Sequence, residues 1–382
     1  MGRDLNSANL HVCLVCDFTN VHFKRWVRDL ESLGHQVTVL SIKGETNDSS
    51  SHVDMMHIPR VQIPGFKALK DVVKMIIRVK LALAYSKKLA KIKPDIVHAH
   101  FLSDAGWIGM WLNFHPFVVT SHGSDVLVHP IEKKYYKWGN RLVLKKADDV
   151  VIVASHLRGA VKTLGCKDEK IRLIANYADS QFLINSDELN NKFSDIEKQP
   201  VIISARKLNK IYNIETLIRA VSIVIKKFSG LKVLILDTGD EYQRLVDLTH
   251  ALNLEQTIQF IGKVPHDQLN HYFFRSHLYI STALSDGTSV ATLEGISGGA
   301  IPILTDIPGN RSFMEMGIKG YLFQPEDHVA LAAAISNALS YKEKCLQESK
   351  HNVEVVSQKY SRSVVMEEME QVYYHALKRC HQ

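Results

Sequence analysis

The chain has 382 residues, 46% of them hydrophobic and 23% charged, and a formal net charge of +7. That length exceeds one ordinary core and suits two domains of roughly 150 to 200 residues. The composition is that of a soluble globular protein without low-complexity tracts, and no apolar run approaches the ~20 residues of a membrane-spanning helix.

The start, "MGRDLNSANLHVCLVCDF", is polar and then strand-like, so it carries no secretory-signal pattern. Five cysteines, an odd number, favour reduced thiols in a cytoplasmic setting. Cys13 and Cys16 form a C-x-x-C inside an apolar run, which reads as buried packing.

In chain order, "LHVCLVCDF" (10–18) predicts a buried strand and "HFKRWVRDLESLGH" a helix with Phe23, Trp26, Val27, Leu30 and Leu33 on one face. "QVTVLSI" then completes a βαβ unit. Between Pro64 and Pro94 the chain gathers nine Lys or Arg against one acid, Asp71, so this stretch holds +8 and the rest carries −1. A solvated basic helix explains it; so does a helix lying on an anionic membrane surface, each cation contributing about 1 kcal/mol. Nucleic acid is disfavoured, because no recognition module accompanies the charge.

Further strands are predicted at "DIVHAH" (95–100), "FVVTSHG" (117–123), "DVVIVAS" (149–155) and "KIRLIANYAD" (170–179). The polar stretch "SQFLINSDELNNKFSDIEKQP" reads as a linker. The pattern then restarts: strand "PVIISAR" (200–206), helix "NIETLIRAVSIVIKKF", strand "LKVLILDTGD", helix "EYQRLVDLTHALNL", strand "TIQFIGKV", short helix "HDQLNHYFFRS", and strands "LYISTAL" and "AIPILTD" around one more helix.

Apolar strands alternating with helices predict an α/β chain of two Rossmann-like, doubly wound parallel sheets, with ligands in a cleft at strand carboxyl ends. The expected domains are 1–185, 198–355, and a C-terminal helix, 356–382, returning toward the first. Neither half contains G-x-G-x-x-G, which disfavours a nicotinamide or flavin enzyme.

The stretch "LSDGTSVATLEGISGGAIPIL" (284–304) carries the most chemistry. Asp286 falls after a strand, Gly287 permits close backbone approach, and Thr288 or Ser289 is a natural N-cap. The helix start suits a diphosphate. Glu294, one and a half turns inside, suits the paired hydroxyls of a ribose. The plain alternative is a surface loop followed by a helix with one solvated glutamate.

"SDGTSVATLEGISGGAIPILTD" resembles the E-x7-E segment of the retaining glycosyltransferase family 4 enzymes, which share the GT-B architecture. "DFTNVHFKRWVRDLESLGHQVTVLS", "KPDIVHAHFLSDAGWIG", "VVTSHGSDV", "ADDVVIVASHLRGAVKTLG", "IRLIANYAD", "SARKLNKIYNIETLIRAV" and "GIKGYLFQPEDHVALAAAI" are similar in order and spacing, from about residue 10 to 340.

The resemblance implies a nucleotide-sugar donor, a glycan or lipid-linked acceptor, retention of anomeric configuration, and neither metal nor cofactor. It implies Glu294 on the donor ribose, Asp286 on the donor sugar where the family usually has Glu, Arg206 on the diphosphate, and His122 near the sugar 6-position. Asp125 lies one turn further on. The family lysine after Arg206 is displaced: Tyr212 stands in its place, and Lys210 or Lys207 is left to substitute. No D-x-D pair occurs in the chain, which fits a metal-free diphosphate site. A sugar epimerase or phosphorylase on the same scaffold, or a catalytically silent glycan- or nucleotide-binding homologue, are the other readings.

Overall fold

The computed structural model describes residues 9–42, 53–55, 67–132, 134–194 and 196–380. It divides into two compact units, one of Met1–Ile174 with Met366–Gln382 and one of Ala175–Val365.

The first unit holds seven strands: β1 (His11–Cys16), β2 (Gln36–Ser41), β3 (Val53–Met55), β4 (Ile96–His100), β5 (Phe117–Ser121), β6 (Asp149–Ile152) and β7 (Ile171–Leu173). They form one parallel sheet in the order β3-β2-β1-β4-β5-β6-β7. The second unit holds β8 (Val201–Ser204), β9 (Lys232–Leu236), β10 (Ile258–Gly262), β11 (Leu278–Ser281), β12 (Ile301–Thr305) and β13 (Tyr321–Phe323). Its parallel order is β10-β9-β8-β11-β12-β13.

Strands β4, β5 and β12 are buried along their whole length. That is why the sequence shows continuous apolar runs there: helices cover both faces of the sheet, so no strand face is left to water. Each fully buried Val or Ile contributes roughly 1.5–3 kcal/mol. The helix Val21–Ser32 starts where the Asn20 side chain accepts from the His22 amide at 2.9 Å, and the chain turns out of it through Gly34 at φ +90°. Cys13 and Cys16 are both fully buried in β1, as their apolar setting predicts.

Three expectations change. The stretch read as a linker contains the helix Ser186–Ser194, and it belongs to the second unit's core through Phe182, Ile184, Leu189 and Phe193. Its apolar residues are too widely spaced among polar ones to show a strong period. The first unit therefore ends at Ile174 instead of 185, because Asn176 and Ile184 are already bonded to Thr288 and Ser297 of the second. The C-terminal return begins at Met366 instead of 356, since the helix Lys342–Lys359 packs in the second unit. From there the helix Arg362–Cys380 places Tyr373 against His98 and Glu370 against His35, both within the first unit.

Candidate active site

Both sheets reverse their strand order once, between β1 and β4 in the first and between β8 and β11 in the second. Crevices at such switch points, at strand carboxyl ends, are where open α/β sheets bind ligands. Arg206 and Asp286 fall at the second of these places, and His122 lies one strand beyond the first.

In the second unit, Arg206 follows β8 and Asp286 follows the adjacent β11. The Arg206 Nη2 donates to Asp286 Oδ2 at 2.5 Å, and its Nη1 donates to the Ser289 hydroxyl. The guanidinium is buried, and the carboxylate beside it keeps it protonated. Burial raises the carboxyl of Asp286, while Arg206 and the Gly287 amide pull it back down. The phenol ring of Tyr212 covers the guanidinium, 4.3 Å from its Cζ.

Ser289 is the N-cap of the helix Val290–Ser297, its hydroxyl accepting from the Thr292 amide at 3.2 Å. One oxygen thus stops the helix and holds the arginine. The buried Thr288 is fixed through its carbonyl, which accepts from Asn176 Nδ2 at 2.7 Å. Gly309 presses on the loop from outside: a Cβ there would sit 2.3 Å from the Asp286 carbonyl and 2.6 Å from that of Gly287. The far end of the helix is tied by Lys192, whose Nζ donates to the Gly298 carbonyl at 2.7 Å and that of Phe273 at 3.1 Å.

Glu294 is 2% exposed, and its Oε1 is 2.9 Å from His266 Nε2. It is not the solvated glutamate of the plain alternative. A buried carboxylate must be bonded to persist, and His266 supplies one such bond. No spacing rule links His266 to a glutamate 28 residues later, so the pairing could not be read from spacing. Lys207 and Lys210 are exposed on the segment after β8, with Lys210 opening the turn Lys210–Tyr212.

In the first unit, His122 follows β5. Its Nε2 is 3.2 Å from His100 Nδ1 at the end of β4. The rings of Phe23 and Phe101 lie 5.6 and 4.5 Å from it. Burial lowers its pKa to about 4, so the imidazole is neutral at pH 7. His98 is held by Tyr373 and Thr120, each at 2.7 Å, and its pKa is lowered to about 3 by burial, then by His122.

Asp125, expected as a donor-binding residue, has its carboxyl engaged by its own loop. It is fully buried, and its two oxygens accept from the amides of Leu102 and Gly123 at 2.9 Å each and from the Ser121 hydroxyl at 3.0 Å. A carboxylate at that point satisfies the sharp turn at Gly123, φ +114°, and so shapes the loop that carries His122.

No group of three or more His, Cys, Asp or Glu among the described residues is arranged to hold a metal ion. Nor is any described helix long and apolar enough to cross a membrane.

Two parallel sheets with paired switch points, one lined by imidazoles and one by an arginine–aspartate pair at a helix start, define a GT-B-type transferase scaffold. Residues 11–154 match the family model for glycosyl transferase 4-like domains, and residues 185–353 match that for glycosyl transferases group 1. The chain belongs to the GT-B glycosyltransferases of the family 4 type.

It is 21% identical to an N-acetyl-alpha-D-glucosaminyl L-malate synthase of Bacillus anthracis, over 78% of this chain and 80% of that one. It is also 21% identical to an alpha-monoglucosyldiacylglycerol synthase of Streptococcus pneumoniae, over 81% and 72%. In fold it is similar to sucrose-phosphate synthase of Thermosynechococcus elongatus (TM-score 0.79, 18% identity, 97% of this chain and 100% of that one). It is likewise similar to Anabaena HepE, solved with UDP and glucose (TM-score 0.75, 14% identity, 95% and 99%). These relatives lend no support to the epimerase reading.

Proposed function

We propose that this glycosyltransferase moves a sugar from a nucleotide-diphosphate sugar to a glycan or lipid-linked acceptor, with retention of configuration, and without a metal or resident cofactor. The observation that carries the reading is the joint position of Arg206, Asp286, Ser289 and Glu294 at the start of one helix. Breaking the sugar–phosphate bond puts negative charge on the departing diphosphate. The Arg206 guanidinium and the amides of the helix start stabilise it, the kind of fixed electrostatic contribution that usually dominates catalysis. Glu294, oriented by His266, grips the ribose.

Asp286 contacts the donor sugar, and His122 bonds it near the 6-position as a neutral imidazole. The leaving phosphate takes the acceptor's proton, so attack occurs on the face it vacates. The absence of any D-x-D pair from the sequence supports charge neutralisation by side chains. UDP-, GDP- and ADP-sugars, tested for turnover and by calorimetry, decide the matter. Glu294→Ala is expected to lose both binding and turnover. If no donor gives heat or product the reading fails; binding without turnover selects the silent homologue, the reading the Asp286 and Tyr212 departures keep open.

A cytoplasmic location at an anionic membrane surface fits the basic stretch 64–94. Its described part lies in the helix Lys67–Ile92, which exposes Ile76, Val79 and Leu83 beside Lys80 and Lys87 and buries Leu81, Tyr85 and Leu89. Arg78 is not part of the exposed charge: it is buried against Asp104 and the Trp107 ring. The diacylglycerol named for one relative supports a lipid acceptor. Sedimentation with phosphatidylglycerol vesicles at low salt is expected to remove the wild type from solution and leave Leu83→Asp behind. Wild type remaining in solution would end the membrane reading.

A further inference from the structure

We propose that Tyr212 is a positioning residue for the donor diphosphate: its ring holds the Arg206 guanidinium in the plane from which it meets the phosphates. The inference rests on the reading of Arg206 given above.

Arg206 leaves β8 as a buried side chain with one direction to go. Its two Nη atoms are spent on Ser289 and Asp286, and its Nε has no hydrogen-bond partner among the described residues. In-plane bonds leave rotation about the long side chain weakly resisted. The Tyr212 ring, 4.3 Å from Cζ, supplies the missing restraint over the flat face. A desolvated guanidinium on an aromatic face is held by the ring's negative π-cloud, and the fork keeps its edge donors for an anion.

The ring stands on a built platform. The Tyr212 carbonyl accepts from Thr282 Oγ1 at 2.7 Å, the Ile211 carbonyl accepts from the Leu284 amide at 2.8 Å, and the Tyr212 amide bonds Asn209 at 2.9 Å. These bonds tie the turn Lys210–Tyr212 to the segment that leads from β11 into Asp286. The carboxylate of Asp286 is then the resting counter-ion. An arriving diphosphate exchanges for it on a guanidinium that Tyr212 has already oriented.

The test uses the full chain and does not need the acceptor. UDP, GDP and ADP are titrated calorimetrically into wild type, and the tightest binder is carried forward to Tyr212→Phe and Tyr212→Leu. Phe keeps the π-face and is expected to bind within about 2-fold of wild type. Leu is expected to weaken binding about 10-fold or more, as is typical of losing a desolvated cation–π contact, with an unchanged unfolding midpoint.

With the matching nucleotide sugar, the loss should appear mainly in KM. If Leu lowers the midpoint, Tyr212→Met, of similar reach without a ring, repeats the measurement. Wild-type affinity in Leu or Met, or equal losses in Phe and Leu, overturns the proposal while leaving the donor site standing. A wild type that binds none of the three nucleotides overturns both.

Discussion

The two switch points of this molecule solve the same problem by opposite electrostatic means. In the first unit the titratable groups around His122 are imidazoles, kept neutral by burial and bonded to one another or to hydroxyls. In the second unit the groups are held in pairs, Arg206 with Asp286 as an ion pair and Glu294 with His266 through a hydrogen bond. The first arrangement costs little to bury but is exposed to acid. The second depends on every partner being present.

The largest expected effect breaks the paired side. Arg206→Met leaves the part-buried Asp286 without its cation, a loss below the about 3–5 kcal/mol typical of a fully buried pair. Urea unfolding should show that loss, and Arg206→Met with Asp286→Leu should recover part of it. If the single variant is as stable as wild type, the pair does not hold the loop.

Next is acid sensitivity of the neutral side. The folded His122 resists protonation down to about pH 4, whereas its unfolded form takes a proton near the ordinary 6.5. The unfolded state therefore gains protons first, and stability falls as pH drops from 6.5 toward 4, by up to about 3 kcal/mol for this group. His98 extends the decline toward its lowered pKa of about 3. Unfolding free energies measured at pH 7, 5.5 and 4.5 should show the slope, and His122→Asn should flatten it. A profile unchanged in the variant would place the acid sensitivity elsewhere.

The smallest effect separates capping from charge. Ser289→Ala removes the N-cap and should cost about 1 kcal/mol, whereas Ser289→Thr should keep most of the stability. Equal losses in the two would mean that the hydroxyl's position, not its presence, matters to Arg206.

Most of the architecture was legible in the sequence because buried parallel strands announce themselves as unbroken apolar runs. The exceptions have physical causes. β3 and β13 are three-residue edge strands, too short for a period to register. The helix Ser186–Ser194 hides because two apolar contacts, Leu189 and Phe193, suffice to dock it.

At the site, Ser289 and Glu294 could be picked out because a helix start is readable locally, whereas Arg206 is named only through the family resemblance. His266 could not, because its bond to Glu294 joins residues that only the fold brings together. Asp125 shows the converse: a carboxylate in a suggestive motif whose oxygens are used up by the turn beneath it. Nor could Tyr212's position over Arg206 be inferred from its place in the sequence, since the contact depends on how the turn is tied down.

The first unit is assembled from residues at both extremes of the numbering, with Tyr373 supplying a hydrogen bond to His98. During synthesis, then, the imidazole cluster must wait for its last partner until the whole of the second unit has left the ribosome. The amino-terminal segment is born first but finished last, so its final seating is a late event in the maturation of the chain.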